Sequence, residues 1–441
     1  MIAPRSRRRI LLFASAIVLF YVYRFYALQP DLNPQYWSSS SPSTISRPSD
    51  EKTKGPYCPS LPGLEDILVV MKTGVTESQE KVPGHFNSTL ACVPHYVIFS
   101  DFEEEIGGVP IHDAFRNMDP KVTRTVPDFD LYNRLVTHGR PGLALQDFAD
   151  EANSALGKPN NPGWKLDKWK FLPMVQETLR HRADARWYVF IEADTYVSWP
   201  TLLAWLDTFD PSEPLYIGTE TQIADVIFAH GGSGFVLSQP ALQRAADAYR
   251  ADPDALHRYT DGHWAGDCVL GKVLADVGVP LHYSWPILQN SNVGELDEFS
   301  PDFYRKPWCF PAVAFHHLSA ADIQTLWAFE QNRWKSKTTP LLHSDIFKEF
   351  IFPRLSPPSR TNWDNLSGQP HPTINTFDAC ADFCAQNPSC VQFSLRDDRC
   401  FTSATPKLGS PHDSARSGWI LDSIQKMIEM AGICPEPDFG H

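Results

Sequence analysis

The chain has 441 residues, with 39 Lys and Arg against 52 Asp and Glu, a formal net charge of −13, and 38 prolines. The acidic balance argues against a nucleic-acid partner, and the prolines argue for long loops and linkers rather than a helical bundle. The length suits one large domain with smaller units attached.

At the amino terminus, Arg5, Arg7, Arg8 and Arg9 precede an apolar run from Ile10 to Tyr23, which Arg24 interrupts before Phe25 to Leu28 resume it. Residues 10–28 nearly reach the roughly 20 needed to cross a bilayer, so a single membrane anchor is expected, with residues 1–9 cytosolic and the rest lumenal. A cleaved signal peptide competes with this reading, but no small-x-small cleavage site follows closely. Residues 29–60 are rich in Ser and Pro and read as an extended stem.

The nine cysteines and the sequons at Asn87 and Asn365 fit an oxidising lumenal compartment. Cys58 and Cys92, Cys268 and Cys309, and Cys380, Cys384, Cys390 and Cys400 are disulfide candidates, while Cys434 has no assigned partner. With an odd number, one thiol stays unpaired within the monomer or pairs outside it.

Two apolar runs open the globular region, Ile67 to Lys72 followed by Thr73 and Gly74, and Tyr96 to Asp101, reading as consecutive parallel strands. Lys72 and Thr73 at the end of the first, and Asp101 at the end of the second, are candidate donor contacts for a phosphate, ribose or base; capping a turn is an equal alternative. Leu172, Val175 and Leu179 then share one helical face, with Pro173 expected to start or kink that helix.

Next comes Trp187 to Ile191, an unbroken apolar run that ends in Glu192-Ala193-Asp194-Thr195-Tyr196-Val197, before Pro200 opens a further helix. Two acids one residue apart, just beyond a strand's carboxyl end, suit Mg²⁺ or Mn²⁺ held against a diphosphate; a solvated loop with helix-start acids is the plainer reading. Leu215 to Gly218 reads as another strand. Gly231, Gly232 and Gly234 then crowd one turn, without the Gly-Lys-Ser/Thr of a phosphate loop. Trp264 and Asp267 precede a helix with Val269, Leu270, Val273 and Leu274 on its apolar face, and Asp267 alone would read as a cap. Finally Ala312 to Phe315 ends in the imidazoles of His316 and His317, one of which is a candidate metal ligand.

Taken in order, acid-x-Asp-Thr-Tyr-Val, Gly-Gly-x-Gly-Phe-Val-Leu-Ser, Asp-x-x-x-Gly and Phe-His-His resemble Fringe and the core 1 β1,3-galactosyltransferases of glycosyltransferase family 31, over roughly Asp66 to Trp334. In that family the last acid of Asp-Asp-Asp holds Mn²⁺ against a UDP-sugar, which matches Asp194. Glu192 and Ala193 replace the other two acids. The resemblance further implies Asp267 as base, although Gly266 replaces the Glu that precedes it. It implies His316 as metal ligand, and Gly231, Gly232, Gly234 and Trp264 on the acceptor side. The implied fold is α/β, a GT-A type mixed sheet flanked by helices. The implied activity is inverting, metal-dependent transfer from a UDP-sugar to a glycan or glycoprotein through a β1,3 linkage, in a single-pass type II Golgi protein.

The tail from Phe377 to Phe401 resembles an Apple/PAN module, a small disulfide-rich unit. With that resemblance, Cys384–Cys390 and Cys380–Cys400 are the favoured pairings. The expected organisation is a transferase domain over 61–345 and the module over 360–435, with a homodimer admitted. A catalytically inactive relative serving as a lumenal glycan- or protein-binding protein is the alternative.

Overall fold

The computed structural model describes residues 57–148, 158, 160–337 and 339–440. The expected cytosolic tail, membrane span and most of the stem lie outside the described residues. Among the described residues, no helix is long and apolar enough to cross a membrane.

A mixed sheet forms the centre, built from β1 (Ile67–Lys72), β2 (Tyr96–Ser100), β3 (Glu104–Ile106), β4 (Val109–Asp113), β5 (Trp187–Glu192), β6 (Tyr216–Gly218), β7 (Phe235–Ser238) and β8 (Leu281–Tyr283). Its order is β8-β6-β7-β5-β1-β2-β4-β3. Strands β5, β1 and β2 run parallel, and β7 is antiparallel to both β5 and β6. Every residue of β1 is buried, because alternate side chains enter two different cores. Ile67, Val69 and Met71 join Trp187, Val189 and Ile191 on one face, whereas Leu68 and Val70 join Tyr188 and Phe190 on the other. An unbroken apolar run thus becomes a strand covered on both sides.

The helices that matter for the site are α1 (Ser78–Lys81), α2 (Pro162–His181), α3 (Trp199–Leu206), α4 (Gln239–Ala251) and α5 (Gly266–Asp276). Helix α3 covers the first face through Trp199, Leu202, Trp205 and Leu206; α2, α4 and α5 cover the second. Helix α2 does not start at Pro173, which lies inside it. It starts at Pro162, where the Asn161 side chain accepts from the Trp164 N–H, so a cap and a first-turn proline set the boundary.

The C-terminal sheet contains β9 (Ser359–Asp364), β10 (Gln369–His371), β11 (Gln392–Arg396), β12 (Arg399–Ser403) and β13 (Ser410–Trp419), ordered β9-β13-β11-β12-β10. Helix α6 (Phe377–Gln386) lies against it, held by Cys380–Cys400 and Cys384–Cys390. Residues between 345 and 360 are not a linker between separate bodies. Val391, Trp419 and Ile424 share an apolar cluster with Trp308 and Phe347, and Ile424 comes from the last helix, α7 (Leu421–Ala431).

The other cysteines require two corrections. Cys434 pairs with Cys309, and Cys268 is in no disulfide. Cys268 is fully buried within α5 against Val226, Phe228 and Ala265, so it acts as a core side chain. Cys58 pairs with Cys92, and Tyr57 exchanges hydrogen bonds with the Gln331 side chain, which joins residues counted to the stem to the globular body.

The sequon at Asn365 is also corrected. Asn365 is 0% exposed, and its amide donates to the carbonyls of Phe393 and Gly418, so a glycan there would displace internal bonds. Asn87 is exposed.

Candidate active site

The carboxyl edges of β1 and β5 open into a cleft of about 630 Å³. Glu192 is the last residue of β5, and Asp194 follows in the turn. Ala193 between them is 1% exposed and points into the apolar core, so the middle acid of the family triplet is lost at a position facing away from the cleft. Its backbone is fixed as well, since the Ala193 carbonyl contacts the buried His85 ring at 2.8 Å.

A short antiparallel pair brings the second part of the site into place. Tyr196–Val197 pairs with Ala314–Phe315, and the Leu318 N–H donates to the Asp194 carbonyl at 3.0 Å. His316 Nε2 then lies 3.2 Å from Asp194 Oδ1, while Nδ1 faces Asn290 Oδ1 at 3.4 Å. His317 holds a left-handed backbone at φ 56°, and its ring lies against that of His316, centroids 3.9 Å apart and tilted by 32°. Gly232 passes beneath the His316 ring so closely that a Cβ there would lie 2.1 Å from it.

Opposed charges line the floor. Lys72 meets Asp167 at 2.5 Å and Glu192 at 3.0 Å; Lys81 meets Glu77 at 2.7 Å and Asp194 at 3.0 Å. Burial works against the Lys72 ammonium, but Asp167 and Glu192 outweigh it and hold the group firmly charged. Burial would also favour a neutral Asp194. The hydrogen bond and charge of His316, with Lys81, instead hold its carboxyl well below the usual carboxylate range. For His316, burial is overcome in the same way by Asp194 and Glu192, so its pKa is raised. Neighbouring His230 is pushed down to about 3 by burial and by the other imidazoles, and is neutral.

Asp267, in the first turn of α5, also lines this cleft. Its Oδ2 accepts from the Gly231 N–H at 2.9 Å and its Oδ1 from the Cys268 N–H at 2.9 Å. Burial pushes its pKa up to about 6, and these two donors moderate the rise. Gly266 stands where the resemblance expects Glu because α5 packs tightly on α2: a Cβ there would lie 2.5 Å from Phe171 and 2.6 Å from Lys168. Trp264 stacks on Trp164 at 6.0 Å and 19°, forming an aromatic wall.

The cleft therefore gathers Lys72, Glu192, Asp194, Gly232, Trp264, Asp267 and His316. Gly231 and Gly234 serve the same turn. Gly231 bonds Asp267, and Gly234 supplies its positive φ of 78°. Asp101 and Thr73 do not line the cleft. Asp101 is 0% exposed and accepts from the Val75 N–H, and the Thr73 carbonyl accepts from the buried Lys170 ammonium at 2.8 Å. Both support the floor beneath the ligand space. Lys72 lines it, but is committed to carboxylates.

Sequence reading missed Lys81, Asp167 and the contribution of His317. Lys81 and Asp167 are ordinary charged helix residues far from the acid motif, and no local pattern marks them.

One carboxylate oxygen from Asp194 and one nitrogen from each of His316 and His317 lie within 4.8 Å of one another. That set fits a divalent cation, and its imidazoles suit Mn²⁺ better than Mg²⁺, which prefers oxygen ligands.

The family model described as Fringe-like matches residues 170–332. The chain is 29% identical over 159 residues to a human chondroitin sulfate glucuronyltransferase, covering 32% of this chain and 19% of that protein. It is 22% identical over 212 residues to the Xenopus laevis glycoprotein-N-acetylgalactosamine 3-beta-galactosyltransferase 1, covering 44% of this chain and 59% of that relative. Those matches span less than two thirds of either relative. Within 170–332 lie Glu192, Asp194, the glycine turn, Asp267 and His316, so the chain carries a Fringe-like domain whose matched segment includes the acid motif, the carboxylate at the start of α5 and the imidazole pair.

Proposed function

We propose that this chain is an inverting, metal-dependent glycosyltransferase that moves a hexose or N-acetylhexosamine from a UDP-sugar to an acceptor hydroxyl of a glycan or glycoprotein, forming a β1,3 linkage. It would act in the Golgi lumen from a single amino-terminal membrane anchor. The observation that carries this reading is one cleft holding both a carboxylate with a pKa near neutrality, Asp267 at about 6, and the donor set of Asp194, His316 and His317.

When bound, a divalent ion would offset the negative charge that builds on the departing diphosphate. Asp194, His316 and His317 would hold it, with Asn290 against the far nitrogen of His316 orienting that ring. Asp267, largely ionised at pH 7, would take the proton from the acceptor hydroxyl. The acceptor oxygen forms the new bond to the anomeric carbon while the bond to the phosphate oxygen breaks, and UDP leaves with that electron pair. The stacked Trp164 and Trp264 offer an apolar face for a sugar ring. The two relatives named above act with different sugars, so the donor is left to experiment.

The test is transfer and hydrolysis of a panel of UDP-sugars by the purified chain, with Mn²⁺ or with EDTA. Transfer that needs Mn²⁺ is expected. Equal rates in EDTA would remove the metal from the mechanism, and no turnover with any donor, while glycan binding persists, would favour an inactive lectin-like relative.

A further inference from the structure

Lys72 and Lys81 face the two acids of the motif, Glu192 and Asp194, and they are held differently. The Lys72 side chain is 8% exposed, and its ammonium meets both oxygens of Asp167, at 2.6 and 2.5 Å, and Glu192 at 3.0 Å. Its donors are fully used, and it lies over the Phe171 ring at 4.9 Å. Lys81 is 29% exposed and bridges only Glu77 at 2.7 Å and Asp194 Oδ2 at 3.0 Å. Asp194 is also the sole carboxylate in the donor set that fits a divalent ion.

We propose that Lys81 is a movable counter-charge, which neutralises Asp194 in the absence of a divalent ion and transfers its ammonium to the nucleotide diphosphate once that ion is bound. This rests on the metal-dependent reading above. A carboxylate already shared between His316 and an ammonium cannot accept a divalent cation without repelling one of them, and Lys81 is the more exposed. Glu77, one turn earlier on the same side, keeps hold of the ammonium, so it swings at the cleft edge instead of leaving. An arriving diphosphate supplies acceptors for the freed donors. Ion and nucleotide then favour each other's binding, because each removes a cost from the other. Lys72 is bound more tightly, since its release would break contacts of 2.5–3.0 Å to two carboxylates and leave Asp167 with Lys170 at 3.6 Å and Glu192 with His316 at 3.9 Å.

The distinguishing result is a pair of opposite changes. In the full chain, Lys81→Met and Lys81→Gln are titrated with Mn²⁺ alone, followed by electron paramagnetic resonance of the free ion, and then with UDP at saturating Mn²⁺ by calorimetry. Mn²⁺ alone is expected to bind roughly three- to tenfold more tightly, and UDP about tenfold more weakly, than in the parent. Lys81→Arg, which keeps the charge, should stay near the parent in Mn²⁺ affinity and guards against a folding defect in the neutral variants. Parent-like or weaker Mn²⁺ binding in both neutral variants overturns the exchange while leaving the metal centre standing. A parent chain that binds no Mn²⁺ overturns the metal centre and the exchange together.

Discussion

At the carboxyl edge of the central sheet, side chains are held by opposed charge: Lys72 between Asp167 and Glu192, Asp194 between His316 and Lys81. In the C-terminal module the same task falls to covalent bonds, with α6 tied to β12 through Cys380–Cys400 and to the turn before β11 through Cys384–Cys390. The regions differ in what lies beneath them. The cleft rests on two extensive apolar layers, whereas the module's own cluster is little more than Phe393 and the four cysteines. A region with a deep core can carry charges that a ligand will rearrange. One without such a core depends on cross-links.

The largest expected effect lies in the cleft. Asp267→Asn keeps an acceptor for one of the two backbone N–H groups, Gly231 and Cys268, but removes the base, so transfer should fall roughly 10²–10⁴-fold while the lost second acceptor costs about 1–3 kcal/mol of stability. Near-normal transfer in a well-folded variant would make Asp267 a structural acceptor and put the cleft on the same footing as the module.

In the module, replacing Cys380 and Cys400 with Ser opens a separation of 20 residues and should cost about 3 kcal/mol of stability, read by denaturant unfolding. Mn²⁺-dependent UDP binding should survive under native conditions. Loss of UDP binding in folded protein would show that the cleft depends on the module's cross-links after all.

Asn365→Ala, also in the module, leaves the Phe393 and Gly418 carbonyls without their donor and should cost about 1–3 kcal/mol. Glycopeptide mapping should find sugar on Asn87 and none on Asn365. Occupancy at Asn365 would break the packing described for that region.

The smallest effect is a titration. With the pKa of Asp267 near 6, kcat/KM should fall about tenfold per pH unit below that value. The sign for stability is the reverse. Because the folded value is raised from 3.8 to about 6, the contribution is full below 3.8 and is lost as pH rises through 6. A flat pH–rate profile down to pH 5 would separate Asp267 from the chemistry.

Much of this was legible in the residues themselves. Unbroken apolar runs marked β1 and β5, because a strand covered on both faces needs an apolar residue at every position. The acid motif, Asp267 and the imidazole pair stood out because strand ends and helix starts place polar groups at a sheet's edge. The start of α2 was missed even so: Asn161 and Pro162 carried the signal, and Pro173 drew attention away from it.

The sequence by itself determined β1, β2, β5 and β6, the order of the motifs and the surplus of one thiol. Only the tertiary structure decided which groups meet. Lys81 reaches Asp194 across 113 positions, Lys72 reaches Asp167 across 95, and Cys309 finds Cys434 across 125. Burial likewise removed Asp101 from the ligand space and Asn365 from the surface. Local patterns record what a residue's neighbours in the chain require of the backbone. Pairing between distant charges, and the access of a side chain to solvent, depend on how the layers close over one another, and no stretch of sequence states that alone.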